Sequence, residues 1–260
     1  LSSIVTAVNF INGIYEREVA VKLQLIANNS NIIYTNPLLD PFTPELGNSQ
    51  LLTQNQVNTD LVIGSANYDI GHLVHNLTGT GNSGSGVATL SSTCRALYKA
   101  RGVSTSSRVG ANPINPFFYR VLAHEIGHQF AAHHSFNASC NNNRTNSTAY
   151  EPGSGSTIMS YAGGCSPYNV QTLADTYFHR ISLEEIAAFL QGTGATCGVL
   201  TNTGNAIPSA EAGLSYTIPR STPFVLTGIG SDINGNVLTY DWEQYNNEIA
   251  VMPPSPTSTV

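Results

Sequence analysis

The chain has 260 residues, of which 41% are hydrophobic and 10% charged, and its net charge is −6. That length holds one full domain and part of another, with enough apolar content to bury a sizeable core. The 10 Lys and Arg are scattered without a basic stripe, which argues against nucleic acid as a partner, and no apolar run approaches the roughly 18 residues of a membrane span. Asn, Ser, Thr and Gly fill the polar positions, a surface texture that suits an extracellular protein.

The first residue is Leu1 rather than Met, and apolar residues recur at helical spacing from 4 to about 15, as if the domain began upstream. Val19, Val21, Leu23 and Leu25 then alternate, which predicts a half-buried strand, and a second strand is expected at 32–35 after a turn at 28–31. A loop with Pro37, Pro41 and Pro44 leads into a helix over 49–57. Short strands at 61–63 and 68–74 and a Gly/Ser loop at 78–86 follow. Alternating strands and helices predict an α/β (α+β) fold built on a twisted mixed sheet.

The best-defined helix spans 116 to about 130. Asn115 is a good N-cap, and Pro116 at the first helical position loses nothing by lacking an N–H. Phe118, Leu122 and Ile126 line one side while Phe117 and Val121 extend the other, the pattern of a buried helix. A C-terminal helix is expected over 183–190, opened by a capping box from Ser182 to Glu185 and closed near Gly192.

After Cys197 the texture changes. Residues 1–200 read as one domain, 201–211 as a polar linker and 212–260 as the truncated start of a β module. Short alternating strands at 216–218, 224–226 and 238–242, with an Asn234-Gly235 hairpin turn, resemble the first strands of an immunoglobulin-like or cadherin-like β-sandwich. The four cysteines form no CxxC pair, so two disulfides in an oxidising compartment are the expected use. Cys140 and Cys165 flank one Asn/Gly/Ser-rich loop, which pairs them and leaves Cys94 with Cys197.

The chemistry concentrates at His124-Glu125-Ile126-Gly127-His128-Gln129-Phe130-Ala131-Ala132-His133-His134. Residues four apart share a helix face, so His124 and His128 can reach one Zn²⁺, while Glu125 lies beside them as a general base. The stretch resembles the metzincin signature HExxHxxGxxH, in which the helix stops and turns so that a third histidine, here His134, approaches from a loop. Ala131 stands where that signature has Gly, so strain or an altered turn is expected there. His133 is the rival third ligand, and register favours His134.

Further on, Gly155-Ser156-Thr157-Ile158-Met159-Ser160-Tyr161 resembles the methionine turn of the same family, whose Met lies as an apolar floor beneath the imidazoles. Tyr161 matches the tyrosine that astacin-like and serralysin-like members place near zinc, where it binds metal or stabilises an oxyanion. Within the metzincins the resemblance is to the reprolysin-like (adamalysin-related) secreted metalloproteases of bacterial type. It spans about 4–198 and includes the stretches 68–72 and 149–153. Ser135 follows the third histidine where adamalysins usually have Asp.

The resemblance implies a metzincin-like zincin fold and a secreted, monomeric zinc endopeptidase that acts on protein or peptide substrates. It implies one catalytic Zn²⁺ on His124, His128 and His134, with Glu125 activating a zinc-bound water. The substrate would lie extended along an edge strand, for which 68–74 is the candidate. Residues 162–167 would wall the pocket for the residue after the cut. A non-catalytic adhesion or binding protein on a metzincin scaffold is the alternative reading, with another kind of zinc hydrolase behind it.

The remaining candidates read as structural. His72, His75 and His179 are lone histidines. Asp232, Asn234 and Asn236 have part of the spacing of a Ca²⁺ loop but no bidentate Glu, so a hairpin turn is the expectation. Asn28, Asn76, Asn137, Asn143 and Asn146 begin Asn-x-Ser/Thr sequons, as chance predicts in so Asn-rich a chain.

Overall fold

The helical spacing at the start of the chain closes into α1 (Ser2–Val19), which buries Ala7, Ile11, Ile14 and Tyr15 on one face. The computed structural model describes residues 1–43, 48–76, 85–106 and 116–247. They fall into two compact units, Leu1–Gly198 with Gln244–Val260, and Val199–Glu243. In the first unit α2 (Asn48–Val62), α3 (Pro116–Gln129) and α4 (Arg180–Leu190) accompany a small mixed sheet of β1 (Leu73–Asn76), β2 (Ser85–Ala88) and β3 (Gly102–Ser106). The sheet order is β1-β3-β2, with β1 parallel and β2 antiparallel to β3.

One core joins α1, α3 and α4. Tyr15 is fully buried, donates its hydroxyl to the Ala123 carbonyl at 2.7 Å, and meets Phe178 edge-on at 5.3 Å. Leu122, Ile126, Ile158, Met159 and Ile186 complete the cluster. This packs the Phe118, Leu122 and Ile126 side of α3, while Phe117 and Val121 on the other side are only half-buried and line a cleft.

Several expected strands differ. Of the run at 19–25, Val19 ends α1 and Ala20 closes it in the left-handed region at φ 54°, while the remainder joins no ladder among the described residues and has its backbone bonded by the Asn12 side chain. Asn12 Nδ2 donates to the Leu23 carbonyl at 2.9 Å and its Oδ1 accepts the Leu23 N–H at 2.8 Å. Residues 29–32 form a 3₁₀ turn in place of the start of the second strand, and 61–62 finish α2. The strand expected at 68–74 begins only at Leu73, and β3 was not signalled at all. Asn115 and most of the 78–86 loop lie outside the described residues.

The capping box is corrected too. α4 starts earlier, with the His179 side chain accepting the Ile181 N–H as its cap. Ser182 lies inside the helix with its hydroxyl buried and without a partner among the described residues, and Glu185 bonds elsewhere.

Both disulfides pair as expected, Cys94 with Cys197 at a Cα separation of 5.3 Å and Cys140 with Cys165 at 4.9 Å. The second unit holds a two-stranded antiparallel sheet, β4 (Ser209–Glu211) with β5 (Ile229–Ser231), and among the described residues no sandwich is formed. The runs at 216–218, 224–226 and 238–242 are not strands. With no second layer among the described residues to bury them, Leu214, Tyr216, Val225 and Val237 stay exposed. Asn234-Gly235 does turn, tied by the Gly235 N–H to the Asp232 carbonyl. Asp232 Oδ1 accepts the N–H groups of Asn234 and Asn236. Among the described residues no helix is long and apolar enough to cross a membrane.

Candidate metal centre

α3 ends where the signature requires it to. The Ala131 N–H bonds to the His128 carbonyl at 2.9 Å and the Ala132 N–H to the Gly127 carbonyl at 3.0 Å, the paired bonds that close a helix with a left-handed residue. That residue is Ala131, at φ 81°, so the strain expected from an alanine at the glycine position is present. The chain then reverses and brings His134 back over the helix.

As a result one donor atom each of His124, His128 and His134 lies within 4.8 Å of the other two. Among the described residues no other group of three or more His, Cys, Asp or Glu could hold a metal ion. His133 is not part of the cluster. Its Nδ1 meets Glu185 Oε1 at 2.6 Å and its backbone N–H donates to Glu185 Oε2 at 2.8 Å, which ties the turn to α4. The hydrogen bond to Glu185 raises the His133 pKa.

The three imidazoles are oriented alike. Each Nδ1 faces a backbone carbonyl, His124 that of Ile158 at 2.8 Å, His128 that of Ala132 at 2.6 Å and His134 that of Asn143 at 2.6 Å. A carbonyl only accepts, so each Nδ1 carries the hydrogen and each Nε2 of the neutral ring offers a lone pair. Burial is the largest cause that keeps the rings neutral. It lowers His124 well below the usual range, His128 to about 3 and His134 to about 4.

His128 Nε2 and His134 Nε2 then face each other at 3.2 Å with no hydrogen between them. Two lone pairs at that distance repel unless a cation lies between them. Nitrogens bound tetrahedrally to zinc at about 2.0–2.1 Å stand about 3.3 Å apart. The donor set therefore fits Zn²⁺.

The sequence of the first unit decides the relationship. The family described as Metallo-peptidase family M12B Reprolysin-like matches residues 1–188. The chain belongs to that family. No curated protein matches it.

For a reprolysin-like metallopeptidase the surroundings of the triad are informative. Glu125 is 6% exposed, and its Oε2 is buried without a hydrogen-bond partner among the described residues. Burial pushes its pKa up to about 8. β2 passes directly over it, since a Cβ at Gly86 would stand 2.3 Å from Glu125 Cγ. β1 lies on the opposite edge of the sheet, with β3 between. The strand beside Glu125 is therefore 85–88 and not 68–74.

Met159 is fully buried under the helix, and a Cβ at Gly127 would meet its Sδ at 2.5 Å, so a larger residue at that position of α3 would have to displace the Met159 side chain. Tyr161 stands with its ring centroid 4.8 Å from that of His134 and 5.8 Å from that of His124. Burial first, and the Glu125 charge second, raise its phenol to about 12. His72 bonds Gln129 and Ser104, His179 caps α4, and the Nε2 of His75 is buried without a partner among the described residues.

Sequence reasoning did not single out Glu151. It is 4% exposed and its carboxylate accepts from the Ser135 hydroxyl, the N–H of Ser156 at 2.7 Å, and the N–H and hydroxyl of Thr157 at 3.0 and 2.7 Å. Ser135 adjoins His134, and Ser156 and Thr157 open the methionine turn. Ser135 at the usual Asp position offered a signal, because a missing acid beside a metal ligand asks which other acid replaces it.

Proposed function

We propose that the chain is a secreted zinc endopeptidase that hydrolyses peptide bonds in proteins, with His124, His128 and His134 as the metal ligands and Glu125 as the general base. The observation that carries this reading is the convergence of three unprotonated Nε2 atoms beside a buried carboxylate with an unpartnered oxygen. Bound there, zinc would supply a Lewis acid for the scissile carbonyl and make water a better proton donor.

Glu125 is suited to moving that proton. Its raised pKa, about 8, lets it take a proton from water and release it to the leaving amine within the neutral range. The substrate lies extended along β2, whose Gly86 brings backbone close to Glu125. Tyr161, near His124 and His134, donates its phenolic hydrogen to the oxygen on which charge develops; a pKa of about 12 keeps that hydrogen in place.

The two disulfides support release into an oxidising compartment. Residues 1–200 form the catalytic domain, 201–211 a linker and 212–260 a separate β module, and the protein acts as a monomer. The test is hydrolysis of casein and of quenched peptides before and after chelation. Activity should vanish on chelation and return with about one equivalent of zinc; hydrolysis that survives a zinc-free preparation contradicts the proposal.

A further inference from the structure

A cavity of about 290 Å³ opens beside the triad and runs back along α3. One wall comes from Phe117, Arg120, Val121 and His124, residues spaced three and four apart on one helix face. Ile158 and Ala174 supply apolar surface as well. Among the described residues Arg120 is the sole Lys or Arg lining the cavity, one helical turn, about 6 Å along the axis, from His124.

The position of Arg120 is unusual in three respects. It lies near the N-terminal end of α3, where the helix dipole disfavours a cation. No carboxylate forms a salt bridge with it among the described residues. Its fork is nevertheless fixed in place, Nε donating to the Ala174 carbonyl and Nη1 to the Pro116 carbonyl at 2.9 Å. Backbone carbonyls orient the guanidinium without neutralising it, and the Nη2 edge has no partner among the described residues. A held, uncompensated fork in a cleft of mixed polar and apolar lining matches the planar geometry of a carboxylate.

We infer that this cavity selects an acidic side chain, Glu or Asp, adjoining the scissile bond, with Arg120 as the residue that determines the preference. The inference rests on the peptidase reading above and adds its substrate class. Glu125 lines the cavity beside the triad and Arg120 lines it about one turn further back along α3, so a side chain bound along α3 can turn its carboxylate toward Arg120 and away from Glu125.

The test is digestion of a mixed peptide library by the wild-type chain, Arg120→Gln and Arg120→Glu, with residues counted on both sides of every cut. Melting temperature and zinc content are measured on each protein. The wild type should enrich Glu and Asp at one position next to the cut. Arg120→Gln should lower the ratio of kcat/KM for acidic over neutral peptides by about tenfold or more. Arg120→Glu should turn the preference toward Lys and Arg.

A second measurement needs no variant: raising salt should slow cleavage of acidic peptides more than of neutral ones. Cleavage without acidic enrichment, or enrichment that Arg120→Gln leaves intact, overturns the inference and spares the peptidase reading. A wild type that holds zinc and cuts nothing in the library overturns both.

Discussion

Glu151 holds Thr157 twice, accepting its hydroxyl on Oε2 at 2.7 Å and its backbone N–H on Oε1 at 3.0 Å. The same carboxylate takes the hydroxyl of Ser135, so one buried group joins the residue after His134 to the turn that carries Met159. The Ser135 N–H in turn bonds the Met159 carbonyl at 3.2 Å. His134 itself arrives on a loop, and this knot gives the loop a fixed position.

Glu151→Gln should therefore loosen the metal centre before it loosens the fold. An amide replaces one acceptor oxygen with a donor, and hydroxyl groups that donated to it must reorient. Partners that orient ligands typically change metal affinity by about 10–100-fold. Zinc affinity by chelator competition should fall in that range, with a shift in the visible spectrum of the cobalt-substituted protein. Asn12→Ala, which removes the bonds to Leu23, should lower the melting temperature and leave that spectrum unchanged.

Ala131→Gly should stabilise the protein. Relief of an L-residue at φ 81° is worth about 1–2 kcal/mol, from which the added freedom of glycine in the unfolded chain removes roughly 0.5–1 kcal/mol. A net gain of up to about 1 kcal/mol should appear as a melting temperature higher by a few degrees. A decrease would mean that packing of the Ala131 methyl against the core outweighs the strain.

His72 should make stability fall in mild acid. Burial lowers its native pKa to about 4, against about 6.5 when unfolded, so the unfolded chain binds the proton more readily. Its contribution is complete above about pH 6.5, declines as pH falls toward 4 and is flat below that. The lowered native value corresponds to a loss on the order of 3 kcal/mol. Urea melts of the metal-free protein at pH 7 and pH 4.5 should show the decline, and it should be shallower in His72→Gln.

The helix that carries His124 and His128 was legible in the sequence from its periodicity, and His134 and the turn around Met159 from their resemblance to the metzincin motifs. His124 and His128 are one turn apart, and a second motif around Met159 follows in order. What escaped depended on distant partners. β3 reads Gly-Val-Ser-Thr-Ser, yet Ser104 and Thr105 are buried, and their hydroxyls are satisfied by His72 and by the Ser85 carbonyl. The alternating run at 19–25 looked like a strand, but Asn12 already occupies the Leu23 backbone. Glu151 gathers partners on both sides of itself in the chain, which no spacing rule connects.

The most direct test of the catalytic centre is the pair of zinc content and peptide hydrolysis in wild type and Glu125→Gln. Glutamine keeps the shape of the buried side chain, leaves the three histidines intact and cannot accept the proton. Both proteins should hold about one zinc per chain, and Glu125→Gln should lose activity by at least about 100-fold. A variant that holds zinc and cuts peptides at the wild-type rate would contradict it.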